Sequence, residues 1–340
     1  MGKERIGMRA SKKVTVVLAV KNGEAFMAKM IDSVVSQTYE NWELLIVSDD
    51  STDKTESIAL SYSADERIKY YESSGGVGRA RNLGIEKSTG EYIIFVDADD
   101  VLPENSLEVR CRAMESQGMV LGIMHTIRPD NRKMSSPDVP KEYCNGMDYL
   151  KRAQLYESGC TTGLEYAADK MFLTSIIRKG KVAFTTAKIS EDSIFVLDYL
   201  CCCDLPIRCI DKVIYTYIQR SGSASATFPA DEAILTYRQY YDKMRSLALE
   251  YHMGTNVEQG ISHGYLNKVI FVLYRKKRET ASGNRQELVN FCRDVLGCDD
   301  IAMAAKDYTS KNEYERMKIV ELIGGGNAEE LADYLIRLGG

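Results

Sequence analysis

Three groups of acidic residues stand where apolar runs stop. In "GEYIIFVDADD" the stretch from Tyr92 to Val96 runs into Asp97, Asp99 and Asp100, with only Ala98 between them. "IVSDDSTD" repeats the pattern with Asp49, Asp50 and Asp53, and "ISEDSIF" sets Glu191 and Asp192 at what reads as a helix start. Clustered carboxylates repel one another and call for a positive partner. A hard divalent cation, oxygen-ligated and shared with a substrate phosphate, meets that need. A plainer use is helix capping: Asp53 suits it, and Asp99 or Asp100 could cap a helix beginning near Pro103. That explains one aspartate of the group, not three. Asp49 lies too far upstream to cap and faces the same crevice, where a carboxylate can accept hydrogen bonds from a ribose or a base. At Glu191 and Asp192 the helix dipole favours carboxylates in any case, so spacing alone leaves capping and catalysis equally open.

The elements that must position these groups alternate strand and helix over the first 125 residues. "KVTVVLAV", "WELLIVS", "RIKYYES", "EYIIFVD" and "GMVLGIMHT" read as strands. Between them, residues 24–37 carry Phe26, Met30, Ile31, Val34 and Val35 at helical spacing, and three further segments read as helices. Such a βαβα order implies a largely parallel sheet covered on both faces, with ligands at the carboxyl ends of its strands. Residues 126–146 read as a polar surface loop, and 147–204 as short helices, one starting near Glu191. "LPIRCI" and "KVIYTYI" read as two strands, followed by the loop "QRSGSASATFPA". From Asp231 onward the pattern is helical, with breaks near Gly254, Ser282 and Gly324–Gly326.

Composition narrows the function classes. With 49 acidic and 44 basic residues, net charge −5, a general nucleic-acid binder is disfavoured. "MGKERIGMRASKK" precedes only a strand-length apolar run, so no signal peptide is expected, and no run approaches the roughly 20 apolar residues that span a bilayer. Nine cysteines without a CxxC pair, and three histidines, point to reduced thiols in a cytoplasmic protein rather than a Cys/His metal site. "GGVGRA" is a poor dinucleotide fingerprint, because Arg81 stands at the third glycine position and the run follows the third strand. Lys170, in "AADKMF", reads as a solvated lysine.

The segments "VTVVLAVKNGEAFMAKMIDSVVSQTYENWELLIVSDDSTDKT", "GGVGRARNLGIEKSTGEYIIFVDADD", "KISEDSIF" and "YTYIQRSGSAS", in that order, resemble the family 2 glycosyltransferases, which have the GT-A fold. The resemblance covers roughly residues 12–225. It implies a GT-A domain over 12–228, with a donor-binding half at 12–125 and an acceptor half at 126–228, followed by an all-helical domain over 229–340. By the same resemblance Asp49 binds the uracil or ribose of a UDP-sugar, and Ala19 to Asn22, with Lys21 among them, hold the base. Asp97-Ala98-Asp99 is then the DxD motif, Asp99 ligating Mn²⁺ or Mg²⁺ on the diphosphate and Asp97 nearer the ribose or sugar. Arg81 lies near the donor sugar or phosphates, Asp192 is the general base with Glu191 supporting it or the metal, and Arg220 helps hold the diphosphate under a mobile loop. The chemistry implied is one direct displacement that inverts the anomeric carbon, with the acceptor a cell-surface glycan or lipid-linked saccharide.

Several positions depart from the family pattern: Ala19 where proline is usual, Lys21 where an uncharged residue is common, Ser48 for an aspartate, and Asp50 for a glycine. They motivate one rival, a degenerate glycosyltransferase serving as a scaffold. The other rival is a sugar-nucleotide nucleotidyltransferase, for which "AVKNGEAF" is a poor glycine-rich basic loop. In the tail, Ile261, Tyr265, Val269, Val272 and Leu273 form a helical stripe followed by Arg275, Lys276, Lys277 and Arg278. The stripe is expected to face a core, with peripheral contact to anionic lipid on the inner face of the membrane as the competing reading. Homo-oligomerisation through these helices is equally open.

Overall fold

A computed structural model describes residues 11–128, 133–135, 142–155, 164–187, 189–220, 228–280, 284–306, 308 and 314–338. The chain divides into two compact units, Met1–Leu150 with Thr162–Ser223, and Lys151–Thr161 with Ala224–Gly340. The first unit is built on one sheet. Its strands are β1 (Val14–Val20), β2 (Trp42–Asp49), β3 (Ile68–Ser73), β4 (Tyr92–Asp97), β5 (Met119–Ile127), β6 (Lys133–Ser135), β7 (Glu142–Tyr143), β8 (Lys170–Leu173) and β9 (Ile207–Ile218). They lie in the order β3-β2-β1-β4-β8-β5-β9-β7, with β6 beside β5.

The first four strands pair in parallel. Every residue of β1 and β2 is buried, as expected for strands covered on both faces. Edge strand β3 exposes Lys69 and Glu72. The connecting helices are α1 (Met27–Val35), α2 (Thr55–Ser61) and α3 (Val77–Lys87), and α4 (Ser106–Ala113) follows β4. On α1 the buried residues Met27, Met30, Ile31 and Val34 recur at helical spacing against the strands' apolar side chains. Beyond β4 come α5 (Gly146–Leu155), α6 (Thr174–Gly180) and α7 (Glu191–Cys201).

Two sequence expectations fail here. Lys170–Leu173 is a strand, not part of a helical stretch, and it runs antiparallel between β4 and β5. Four residues are too few to display a period. The two strands expected within 205–218 are one, β9, because the exposed pair Asp211 and Lys212 sits where the β5–β9 register shifts rather than at a turn. Short strands β6 and β7 also fall within the expected loop, parts of which lie outside the described residues, as do 221–227 of the later loop.

A buried ionic knot closes the sheet's amino end. Glu43 is 1% exposed and accepts hydrogen bonds from Thr15 Oγ1 at 2.6 Å, Thr89 N at 2.7 Å and Lys13 Nζ at 2.9 Å. Burial alone would raise its carboxyl, but these donors outweigh burial and hold it down at about 2. The unfolded value is about 4.3. A depressed acid stabilises the fold above its unfolded value, and that stability is lost as pH falls through its folded value. We expect Glu43→Gln to cost about 1–3 kcal/mol at pH 7 and to flatten the loss of stability below pH 4, measured by urea unfolding across pH. Equal stability of the two proteins at pH 7 would contradict this.

The second unit holds α8 (Ala230–Glu250), α9 (Thr255–Glu279), α10 (Arg285–Leu296), α11 (Asp299–Lys306), α12 (Tyr314–Gly325) and α13 (Ala328–Arg337). The stripe Ile261, Tyr265, Val269, Val272 and Leu273 is fully buried, so it builds this unit's core. Lys276 turns inward and pairs with Asp231 at 2.9 Å and Glu287 at 3.0 Å, which removes it from the solvated charged end expected of the stripe. Among the described residues no helix is long and apolar enough to cross a membrane. None of the described cysteines forms a disulfide.

Candidate active site

The carboxyl ends of β1, β2 and β4 meet, with Ala19 in register with both Val47 and Asp97. Helix α3 delivers Arg81 to that junction. Two features fix the helix against the chain that leads into α7. A Cβ at Gly78 would lie 2.1 Å from Thr185 O, so the backbones approach as only glycine permits. Asn82 Nδ2 donates to Phe184 O at 2.8 Å, and Phe184 N returns a bond to Asn82 Oδ1 at 2.8 Å. Ser190 then adopts a left-handed conformation, φ 55°, and α7 opens with Glu191 and Asp192 in its first turn.

Arg81, with its side chain 5% exposed, serves three carboxylates. Its Nη1 donates to Asp192 Oδ1 at 2.6 Å and to Glu191 Oε1 at 2.8 Å, and its Nη2 to Asp97 Oδ1 at 2.9 Å. Asp192 Oδ2 accepts one more bond, from the backbone N–H of Ala167, at 3.1 Å. One cation cannot neutralise three anions, so the cluster keeps an excess of negative charge. The imbalance appears in the titration of its members. Burial raises the Asp192 carboxyl to about 7 against the pull of Arg81, and the charges of Glu191 and Asp97 add to the rise. Burial would lower the Arg81 guanidinium, but the three carboxylates overcome it and hold the group charged.

The neighbouring aspartates divide their work. Asp99 pairs with Arg220, whose guanidinium lies 4.1 Å over the Phe26 ring. Asp100 does not cap a helix; α4 begins at Ser106, after Asn105. It is 1% exposed and accepts from Tyr215 Oη at 2.7 Å and Ile218 N at 2.8 Å. Burial first, and then the charge of Asp97, raise its carboxyl to about 8. The Tyr215 oxygen in turn accepts from Asp97 N at 3.1 Å. That bond is needed because β8 pairs with β4 only at Tyr92 and Ile93 and leaves the end of β4 without a strand on that side.

At the end of β2, Asp49 is 4% exposed and accepts from Gly76 N at 2.9 Å, and Lys21 Nζ stands 3.9 Å from it. Gly76 has φ 105°, a conformation that favours glycine. Asn22 is committed to the loops: its N donates to Ser51 Oγ at 3.0 Å and its Oδ1 accepts from Thr52 N at 2.9 Å. Asp53 lies one residue before the N-cap position and accepts from Thr55 N at 3.0 Å and Glu24 N at 2.9 Å, tying the two loops together. Asp50 adopts φ 48°, so the left-handed geometry survives the replacement of glycine at a residue type that tolerates it.

The family model for glycosyl transferase family 2 matches residues 15–175. This stretch of the chain belongs to that family. The chain is also similar to an uncharacterized glycosyltransferase of Rickettsia typhi, 43% identical over 95 residues, which are 28% of this chain and 30% of that protein. Glycosyltransferase GlyA of Streptococcus pneumoniae is 39% identical over 103 residues, 30% of this chain and 15% of its own length. The chain thus spans less than a third of either relative. S. aureus TarS in complex with UDP superposes with a TM-score of 0.64 at 18% identity, over 95% of this chain and 89% of that one. TarS in complex with UDP-GlcNAc gives 0.62 at 18%, over 95% and 90%. At this identity the likeness establishes the fold, which is GT-A with a mostly parallel sheet and a C-terminal helical region.

Arg81 and Asp97, from the stretch that matches family 2, come together with Glu191 and Asp192 from beyond it, and Asp99, two residues after Asp97, pairs with Arg220. Ala19 and Ala98 are buried and supply backbone only, while Lys21, with its side chain 58% exposed, reaches toward Asp49. Among the described residues no three His, Cys, Asp or Glu side chains are grouped to hold a metal alone. The donor set of Asp97, its side chain 41% exposed, with Asp99 fits a hard cation that completes its oxygen shell from a substrate diphosphate. Sequence reasoning missed Tyr215, Ala167 and Lys170. The first two act through a hydroxyl and a backbone amide that no motif marks. Lys170 is fully buried, not solvated.

Proposed function

We propose that this chain is an inverting, metal-dependent glycosyltransferase that moves a sugar from UDP to a hydroxyl of a cell-surface glycan or lipid-linked saccharide. The observation that carries the reading is the Arg81 cluster at the carboxyl ends of the strands: a largely enclosed carboxylate, Asp192, its side chain 14% exposed, held by Arg81 at 2.6 Å and raised to about 7. A general base works best when its affinity for protons lies near the working pH. Asp192 takes the proton of the acceptor hydroxyl, while Arg81 and the Ala167 N–H hold its two oxygens in place. Glu191 shares the guanidinium and keeps Arg81 from neutralising Asp192 alone. Asp49, fixed by the Gly76 amide, faces the ribose or base. Asp97 and Asp99 would hold the cation, which neutralises charge on the departing UDP as a Lewis acid. Arg220 is within reach of the same diphosphate. UDP as the donor nucleotide draws support from the UDP and UDP-GlcNAc complexes of TarS, and the acceptor class from the family resemblance.

The test is a thermal-shift panel of UDP, GDP, CDP and ADP, each with and without Mn²⁺. A ligand that binds only the folded protein at a hundredfold excess over its dissociation constant adds about 2.7 kcal/mol of stability. The expected result is a shift with UDP that requires the metal. No shift with any nucleotide would overturn the reading in favour of a scaffold without a donor site.

A further inference from the structure

Asp192 receives its second hydrogen bond from a peptide group whose carbonyl is held by one buried cation, with a second buried cation on a carbonyl two residues further along. Residues 166–170 run into β8. Lys170 has no exposed side-chain surface; its Nζ donates to the carbonyl oxygen of Tyr166 and, at 2.5 Å, to Asp169 Oδ1. Arg110, also fully buried, donates from Nη2 to Ala168 O at 2.9 Å and to Ile214 O at 3.2 Å. Between the two clamped carbonyls lies the Ala167 N–H, aimed at Asp192 Oδ2. The Tyr166 carbonyl and the Ala167 N–H belong to one planar, trans peptide unit and point in opposite directions. Whatever fixes that carbonyl therefore fixes the direction of the N–H. A cation on the carbonyl also polarises the unit and makes the N–H a stronger donor to an anion.

Packing does not account for the lysine. Burying an ammonium carries a desolvation cost of several kcal/mol, and an apolar side chain of similar volume would fill the space without it. The ammonium is aimed at the one peptide unit whose other end meets Asp192.

We infer that Lys170 is a positioning residue for transfer, acting through the Tyr166–Ala167 peptide to hold and strengthen the hydrogen bond on Asp192. The inference rests on Asp192 being the base. It predicts which property of the enzyme changes when the clamp is removed.

The experiment compares wild type, Lys170→Met, Lys170→Arg, Asp192→Asn and the double variant Lys170→Met/Asp192→Asn. The probe is the UDP-sugar that gives the largest thermal shift, with water as acceptor and UDP release as the signal. Lys170→Met is expected to lower kcat about tenfold with KM for the UDP-sugar unchanged, as for loss of one charge-assisted hydrogen bond. Lys170→Arg keeps a cation within reach of the carbonyl and is expected to recover most of the rate. The double variant is expected to be no slower than Asp192→Asn, because the clamp has no other route to the reaction. A further loss in the double variant, or a rise in KM at unchanged kcat, would overturn the inference and leave the base assignment standing. Wild-type turnover by Asp192→Asn would remove the base and the clamp together. Lys170→Met leaves Asp169 buried without its cation, so Asp169→Asn/Lys170→Met serves in its place where thermal melts show the single variant unfolded, with the same outcomes.

Discussion

Asp192→Asn will lower the transfer rate by about 10²–10⁴-fold while metal-dependent binding of UDP persists. The amide keeps the shape of the carboxylate, but it cannot take a proton. Donor contacts are assigned to Asp49, Asp97, Asp99 and Arg220, and the amide oxygen can still accept from Arg81, which keeps its bond to Asp97. The pH dependence adds a second signature. Because burial raises Asp192 to about 7, the fraction of active base in the wild type falls as pH drops below neutrality. The rate should therefore decline on the acid side of about pH 7, and that limb should be absent from the residual activity of the variant.

Stability moves the other way. An acid raised from an unfolded value of about 3.9 destabilises the fold above that value, and the penalty grows until pH passes its folded value. Between pH 4 and 7 the wild type should lose stability as pH rises, and Asp192→Asn should lose less. Steady-state kinetics, UDP titration and urea unfolding across pH read these effects. A variant with near-normal turnover at pH 8 would show that another group takes the proton.

Replacing Arg81 should be felt first in folding. Arg81→Met leaves Asp97, Glu191 and Asp192 without the cation they share, two of them with side chains under 15% exposed. Removing one partner of a buried ion pair typically costs about 3–5 kcal/mol, because the remaining charge stays desolvated. Here three charges remain, so the upper part of that range is expected at pH 8. A proton on Asp192 can offset part of the lost guanidinium charge, because Arg81 is what pulls that carboxyl down against its burial. The penalty should therefore be largest above about pH 7, where Asp192 is charged, and should shrink as pH falls below it. Chemical denaturation at pH 5 and pH 8 measures this. A constant difference would mean that Arg81 contributes packing on Phe184, which its guanidinium overlies at 5.1 Å, rather than charge.

Much of the amino-terminal part of the sheet was legible in the sequence because its elements are local. β1, β2 and β4 are each an apolar run, β2 and β4 end at a carboxylate, and the start of α7 coincides with Glu191. What the sequence could not display are choices made by distant partners. Arg81 is expected from the resemblance near the donor sugar or phosphates, but nothing in the sequence shows that it binds three carboxylates, two of them 110 and 111 residues away. Lys170 reads as a surface residue because lysines usually are, and only the Tyr166 carbonyl and Asp169 explain its burial. Asp100 looks equivalent to Asp97 and Asp99, and only Tyr215 and Ile218 show that it supports the strand end instead of facing the crevice.

The insertion of β8 sets an order on assembly as the ribosome makes the chain. β1 to β4 can pair as soon as residue 97 has emerged, but the far edge of β4 acquires its neighbour only with Phe172 and Leu173. At roughly 5–20 residues per second, synthesis of residues 98 to 173 keeps that edge open for about 4–15 seconds. During this interval the nascent protein presents "YIIFV" as an unpaired, apolar template to other chains. Aspartates 97, 99 and 100 follow that run directly. The negative charge they carry works against pairing of that edge with a second copy of itself.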